Sequence, residues 1–142
     1  MVAELISVGT EILLGNIVNT NAAYLAEKCA LLGLSLYHQS VVGDNEARME
    51  DTIRRALERS DVVILTGGLG PTKDDLTKEV TAKVFKKALC EDAHTKERIM
   101  EFFQKIHNGE KITENNWKQA LIPEGAIIVE NQNGTAPGLI VI

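Results

Sequence analysis

The sequence predicts an α/β fold in which a mostly parallel sheet is covered by helices on both faces. Two observations carry this. Apolar strand-like runs alternate with stretches of helical periodicity in the order strand, helix, strand, helix, strand, and the connections between them are short. At 142 residues with 44% hydrophobic content, the chain is the size of one compact domain with one core.

The run VAELISV (residues 2–8) reads as a buried strand. Asn19 or Asn21 offers the N-cap of a helix whose Ala22, Leu25, Ala26, Cys29 and Leu32 share one face, and Gly33 ends it. LSLYHQSVV (34–42) alternates like a strand, GDN is a turn, and Met49, Ile53, Ala56 and Leu57 recur at helical spacing over EARMEDTIRRALERS (46–60). DVVILT (61–66) follows as the third strand; being the more apolar, it is expected at the centre of the sheet.

Beyond it, LTKEVTAKVFKKAL (76–89), AHTKERIMEFFQKIHN (93–108) and the short ENNWKQAL (114–121) read as helical. AIIVE (126–130) reads as a strand, NQNGTAPG (131–138) as a loop and LIVI (139–142) as the start of another strand. Because the sequence stops inside that strand, residues 1–142 are read as one domain cut short at its C-terminal end, with no second domain among them.

The balance of 15 Lys+Arg against 20 Asp+Glu gives a net charge of −5, which argues against a nucleic-acid partner. An anionic ligand therefore calls for backbone N–H groups or a metal ion. The N-terminus has no basic region ahead of a long apolar run, and no segment approaches the ~18 apolar residues of a membrane span, so a cytoplasmic protein without a membrane partner is expected. Cys29 and Cys90 form no C-x-x-C pair, and His38, His94 and His107 have no metal-ligand spacing; Cys90 falls near the end of an expected helix.

Two loops stand out, GTEILLGNIVNTN (9–21) after the first strand and TGGLGPTKDD (66–75) after the third. In a doubly wound sheet, ligands bind beyond the carboxyl ends of strands at the point where connections diverge, so these loops share a crevice if the two strands are neighbours. Gly67, Gly68 and Gly70 let the backbone turn or approach a ligand closely, although a plain glycine-rich turn explains them equally well. The loop has neither the Gly-Lys-Ser/Thr of a P-loop nor the G-x-G-x-x-G spacing.

Asp74 and Asp75 can share a Mg²⁺-type ion with substrate oxygens. Thr72 and Asp75 also fit the S/T-x-x-D/E capping box, and from the residues alone capping ranks ahead of catalysis. Glu11 and Asp44 bring further acids to the rim, so that three successive strand ends each deliver one. Asn19 and Asn21 could bind ligand hydroxyls, with capping a simpler account of at least one. NGTAPG (133–138) is a second loop able to present backbone amides, and Trp117 reads as a packing residue.

The segments SVGTEILLGNIVNTNAAYLAE, VVGDN, TGGLGPTKDDLT, NNWKQALIPEGA and NGTAPG, in this order, resemble the N-terminal domain of the CinA (competence/damage-inducible) family, part of the wider molybdopterin-binding group with MoaB, MogA and gephyrin. The resemblance spans nearly the whole chain. It implies a three-layer α/β/α domain of the MoaB/MogA-like fold and a metal-dependent pyrophosphatase acting on ADP-ribose or a related nucleoside diphosphate compound. A non-catalytic module that binds molybdopterin or a nucleotide is the alternative.

Carried over by motif, Asp75 and Asp44 are the catalytic acids, and Asp75, Asp74 and Glu11 hold a divalent metal (Mg²⁺, Mn²⁺, Co²⁺ or Ni²⁺). Gly9, Thr10, Glu11, Asn19, Asn21, Thr66, Gly67, Gly68, Gly70, Thr72, Gly134, Thr135 and Ala136 line the small-molecule nucleotide or pterin. The relatives' T-G-G-T-G reads T-G-G-L-G here, so Leu69 removes one phosphate-facing hydroxyl. Relatives of this fold also imply a homo-oligomer, a dimer or trimer.

Overall fold

The computed structural model describes residues 1–106 and 111–142, which fall into two compact units, Met1–Gly68 and Leu69–Ile142.

In the first unit, β1 (Val2–Val8), β2 (Ser35–Val42) and β3 (Val62–Thr66) form a parallel sheet in the order β2-β1-β3. Helix α2 (Thr20–Leu31) joins β1 to β2 and α3 (Glu46–Arg59) joins β2 to β3; a short helix α1 (Thr10–Leu13) lies inside the loop after β1. Successive side chains of a strand point to opposite faces, and β1 uses both. Ala3 and Leu5 pack with Cys29, Leu25 and Ala26 of α2 and with Val62 and Ile64 of β3. Glu4, from the other face, bonds to Arg59 and Ser60 at the end of α3, whose Met49, Ile53 and Ala56 are buried. The unit is therefore three layers, helix, sheet and helix, as expected.

The order corrects one expectation. β1, not the more apolar β3, is the central strand, and β3 is only half-buried. Composition misled because β1 carries Glu4 in its interior, fully buried yet neutralised by a two-pronged bond from Arg59 at 2.9 and 2.7 Å.

The helix ends follow from local chemistry. Asn19, not Asn21, caps α2 by accepting the Ala22 amide at 3.2 Å. At the other end Gly33, at φ +72°, closes a Schellman motif in which Leu34 N–H bonds Cys29 C=O and Gly33 N–H bonds Ala30 C=O. Leu32, expected on the buried face, sits at this cap and is exposed.

The second unit contains α4 (Thr77–Val84), β4 (Leu89–Glu91), α5 (Ala93–Ile106), α6 (Glu114–Trp117), a 3₁₀ turn (Lys118–Ala120), β5 (Leu121–Pro123), β6 (Ile127–Val129) and β7 (Gly138–Ile140). β4 pairs antiparallel with β5, and β6 with β7. The His107–Asn108 end of the expected helix lies outside the described residues.

The helix expected over 76–89 stops at Val84, and Cys90 belongs to a strand, where it is exposed. The stop is another Schellman motif, Lys87 N–H to Ala82 C=O and Lys86 N–H to Lys83 C=O, with Lys86 at φ +54° in the place glycine usually takes. Among the described residues no helix is long and apolar enough to cross a membrane.

Candidate functional site

β1 and β3 are neighbours, and α2, which leaves β1, lies on the opposite face of the sheet from α3, which leads into β3. The strand order reverses at β1, which makes the carboxyl ends of β1 and β3 the place where such sheets hold ligands. The structure brings most of the first unit's candidate residues to this rim.

Thr10 and Asp44 lock the ends of β1 and β2 together. The Thr10 hydroxyl donates to Asp44 Oδ2 at 2.9 Å, the Thr10 amide reaches the same oxygen at 3.2 Å, and the Asp44 amide returns a bond to Thr10 Oγ1 at 3.2 Å. Asp44 is therefore a loop fastener whose second carboxylate oxygen is not used in this lock. Glu11 folds its carboxylate back beside Gly9, where a Cβ would lie 2.7 Å from Glu11 Oε1.

Asn19 is engaged within the protein through both ends of its carboxamide. Its Oδ1 caps α2, and its Nδ2 donates to the buried Ser7 hydroxyl at 2.8 Å. Asn21 is the exposed one, with Nδ2 3.5 Å from Thr66 Oγ1 at the end of β3. After Thr66 the chain turns through two glycines at φ +94° and +66°. Gly67 is obligatory, since a Cβ there would sit 2.1 Å from the carbonyl oxygen of Val8.

The second unit holds the continuation of this loop. Asp75 Oδ2 accepts the Thr72 amide at 2.9 Å and the Thr72 hydroxyl at 2.6 Å. That is one half of a capping box, but it closes a turn ahead of α4, which starts at Thr77 with Leu76 as an N-cap that makes no side-chain bond. Gly70 leaves the room the carboxylate occupies, because a Cβ there would come within 2.6 Å of Asp75 Oδ2. Burial pushes the Asp75 carboxyl up, yet the bonds from Thr72 and the Gly70 amide, with the charge of Lys118, outweigh it and hold the group below the ordinary aspartate range. Asp75 is thus an anion at neutral pH.

Sequence reasoning missed the groups that support this turn. Lys118 Nζ donates to the carbonyls of Thr72, at 2.7 Å, and of Asp75, and Gln119 Nε2 donates to the carbonyl of Leu69 at 3.3 Å. Both lie in NNWKQAL, a segment legible as a motif but not as a contact with residues more than 40 positions away. Trp117 lies beneath Lys96, whose Nζ is 5.2 Å from the ring centroid.

Gly134, Thr135 and Ala136 lie on the β6–β7 connection. Asn131 pins this loop by donating to Ala136 C=O and accepting the Asn133 amide, both at 2.9 Å. Thr135 borders a hollow with His94, Arg98 and Glu130, in which Glu130 bridges His94 at 3.2 Å and Arg98 at 2.8 Å. Among the described residues no group of three or more His, Cys, Asp or Glu side chains is assembled to hold a metal ion.

The sequence matches the family described as "Probable molybdopterin binding domain" over residues 4–141. It is 53% identical over 141 residues to a "Putative competence-damage inducible protein" of Clostridium beijerinckii, covering 99% of this chain and 34% of that protein, so the chain spans about a third of the relative's length. The structure superposes on protein CinA of Thermoplasma acidophilum with a TM-score of 0.83 and 39% identity, covering 96% of this chain and 79% of that one. It also superposes on the tungsten cofactor synthesizing protein MoaB of Pyrococcus furiosus, with a TM-score of 0.58 and 20% identity over 92% of this chain and 74% of that one, a likeness of fold alone. The chain accordingly belongs to the molybdopterin-binding-domain family, on its CinA branch.

Proposed function

We propose that this chain binds a phosphate-bearing nucleotide or pterin at the carboxyl ends of β1 and β3 and, with a divalent metal, hydrolyses the pyrophosphate of ADP-ribose or a related nucleoside diphosphate compound. The observation that supports binding is the rim of the first unit. Gly67 and Gly68 fold the loop against Val8, the Thr10–Asp44 lock fixes the facing loop, and exposed Asn21 and half-buried Thr66 offer polar groups between them.

Hydrolysis is supported by the chemistry of the acid loop. Asp75 is a hard anionic donor kept ionised by its surroundings, and Asp74 stands beside it. These oxygen donors fit an ion of the Mg²⁺ type, which takes one or two carboxylates and completes its shell from phosphate and water oxygens. Such an ion neutralises phosphate charge and lowers the pKa of a bound water. Asp75 and Asp74 are the residues proposed to hold it, Thr72 to orient Asp75, and Glu11 and Asp44 to order the rim of the first unit.

The polar groups and close-packed glycine loop of the same rim also support a second reading, a binding module without chemistry. AMP release from ADP-ribose with Mg²⁺, Mn²⁺, Co²⁺ or Ni²⁺, wild type against Asp75→Asn, separates the two. Turnover lost in a folded Asp75→Asn supports hydrolysis. Saturable binding of ADP-ribose without turnover in the wild type moves the assignment to the binding module, and neither binding nor turnover sinks both.

A further inference from the structure

We infer that Lys118 is the positioning residue of the acid loop: its ammonium clamps the two ends of the Thr72–Asp75 turn and so fixes the direction in which the Asp75 carboxylate is presented. The inference rests on the reading of Asp75 as the site acid.

An ammonium has three N–H donors and no acceptor. Three acceptors surround that of Lys118: the carbonyl oxygen of Thr72 at 2.7 Å, the carbonyl oxygen of Asp75, and Glu79 Oε1 at 3.6 Å. Its donors are thus directed to the protein, not held out towards a phosphate. The two carbonyls belong to the first and last residues of the turn whose interior is closed by Thr72 and the Asp75 carboxylate. Backbone and side chain of Asp75 are therefore held independently, the one by Lys118 and the other by Thr72.

The clamp is itself built into the unit. Lys78 is 8% exposed, burial brings its ammonium down to about 8, and its Nζ donates to the backbone carbonyl of Lys118. Gln119, 4% exposed, ties the same 3₁₀ turn to the carbonyl of Leu69 at the front of the loop. Residues 118 and 119 thereby grip the loop at three carbonyls, those of Leu69, Thr72 and Asp75. A compact ammonium fits between two converging carbonyls in a way a planar guanidinium does not, which makes lysine the suitable cation here.

The test uses the whole chain and two readouts, the titration midpoint of the Asp75 carboxyl by carbon-detected NMR and the affinity for Mn²⁺ in the presence of ADP-ribose by water-proton relaxation. In Lys118→Met the Asp75 midpoint should move upward and Mn²⁺ should bind about 10- to 100-fold more weakly, the usual effect of losing a group that orients a metal ligand. Lys118→Arg, which restores the charge but not the fit between the carbonyls, should bring the midpoint back towards wild type without restoring Mn²⁺ affinity, while Lys96→Met, which removes a charge elsewhere in the unit, should leave both unmoved.

An unchanged midpoint or unchanged Mn²⁺ affinity in a folded Lys118→Met overturns the inference. Should that variant fail to fold, Lys118→Gln, which keeps N–H donors for the carbonyls without the charge, decides on Mn²⁺ affinity: a value close to wild type supports the clamp, and a loss as large as that expected of Lys118→Met overturns it. The proposed hydrolysis fails on a different result, absence of AMP release by the wild type, and the Asp75 titration still reads the clamp in that case.

Discussion

Replacing Gly67 with alanine tests the part of the rim on which the proposed ligand binding depends. The residue sits at φ +94°, where an L side chain costs about 1–2 kcal/mol. Its added Cβ would also lie 2.1 Å from the carbonyl oxygen of Val8, in a strand whose Val8 is 2% exposed and whose backbone is bonded on both sides. Forcing an atom into such packing costs about 1–3 kcal/mol more. The expected loss is about 2–5 kcal/mol, a large share of the ~5–15 kcal/mol that holds a domain folded. At roughly 2–4 °C per kcal/mol, it corresponds to a fall in Tm of about 4–20 °C.

Gly33→Ala is the internal control. Gly33 has φ +72° but nothing within 4 Å of its Cβ position, so it carries the backbone cost without the collision. The entropy that alanine removes from the unfolded chain is common to both variants and cancels in the difference. Urea unfolding of the two variants therefore isolates the contact with Val8. Equal losses would refute the claim that this loop is pressed onto the end of β1, and with it the account of how the rim is formed.

Two further outcomes follow from the first unit. Glu4 is held below the ordinary glutamate value of 4.5 by its hydrogen bonds from Arg59, against the opposing effect of burial. A depressed pKa stabilises the fold above the unfolded value and loses that contribution as pH falls from about 4.5 through the lower folded value. Glu4→Gln should therefore cost about 1–3 kcal/mol near neutral pH and flatten the acid side of the stability profile, measured by urea titration from pH 7 to 3; an unchanged acid limb would refute it. Thr10→Val removes the hydroxyl that both gives to and receives from Asp44. It should lower stability by only about 1 kcal/mol, because the pair is exposed, yet weaken ADP-ribose binding measurably by calorimetry; unaltered affinity would separate the lock from the site.

Where the fold was legible, a local signal marked it. Asn19 or Asn21 announced the start of α2, which Asn19 caps, and Gly33 announced its stop, which a Schellman motif makes. Where it was not, the decisive interaction was non-local or chemically disguised. The end of α4 is a glycine-type motif built with Lys86, so apolar periodicity ran on through residues that belong to a loop and to β4. The central place of β1 depended on Arg59, 55 positions from Glu4, and no property of VAELISV alone could show that its acid would be neutralised.

The same distinction governs the candidate site. Thr10 and Asp44 could be placed at one rim from strand order, because each stands at the end of its own strand. Asp75 could not be assigned, since Thr-x-x-Asp makes a capping box when a helix starts at the threonine and a free-standing turn when it starts later. The structure places the helix start at Thr77, which removes the capping account and leaves a carboxylate held in a turn that caps nothing. What keeps that turn in shape comes from the other end of the unit, Lys118, 43 positions along the chain from the Asp75 carbonyl it bonds. Asp75→Asn and Lys118→Met are therefore coupled substitutions: if the lysine acts only through the loop, the double variant should lose no more Mn²⁺ affinity than Asp75→Asn alone, whereas additive losses would show that Lys118 meets the ligand directly.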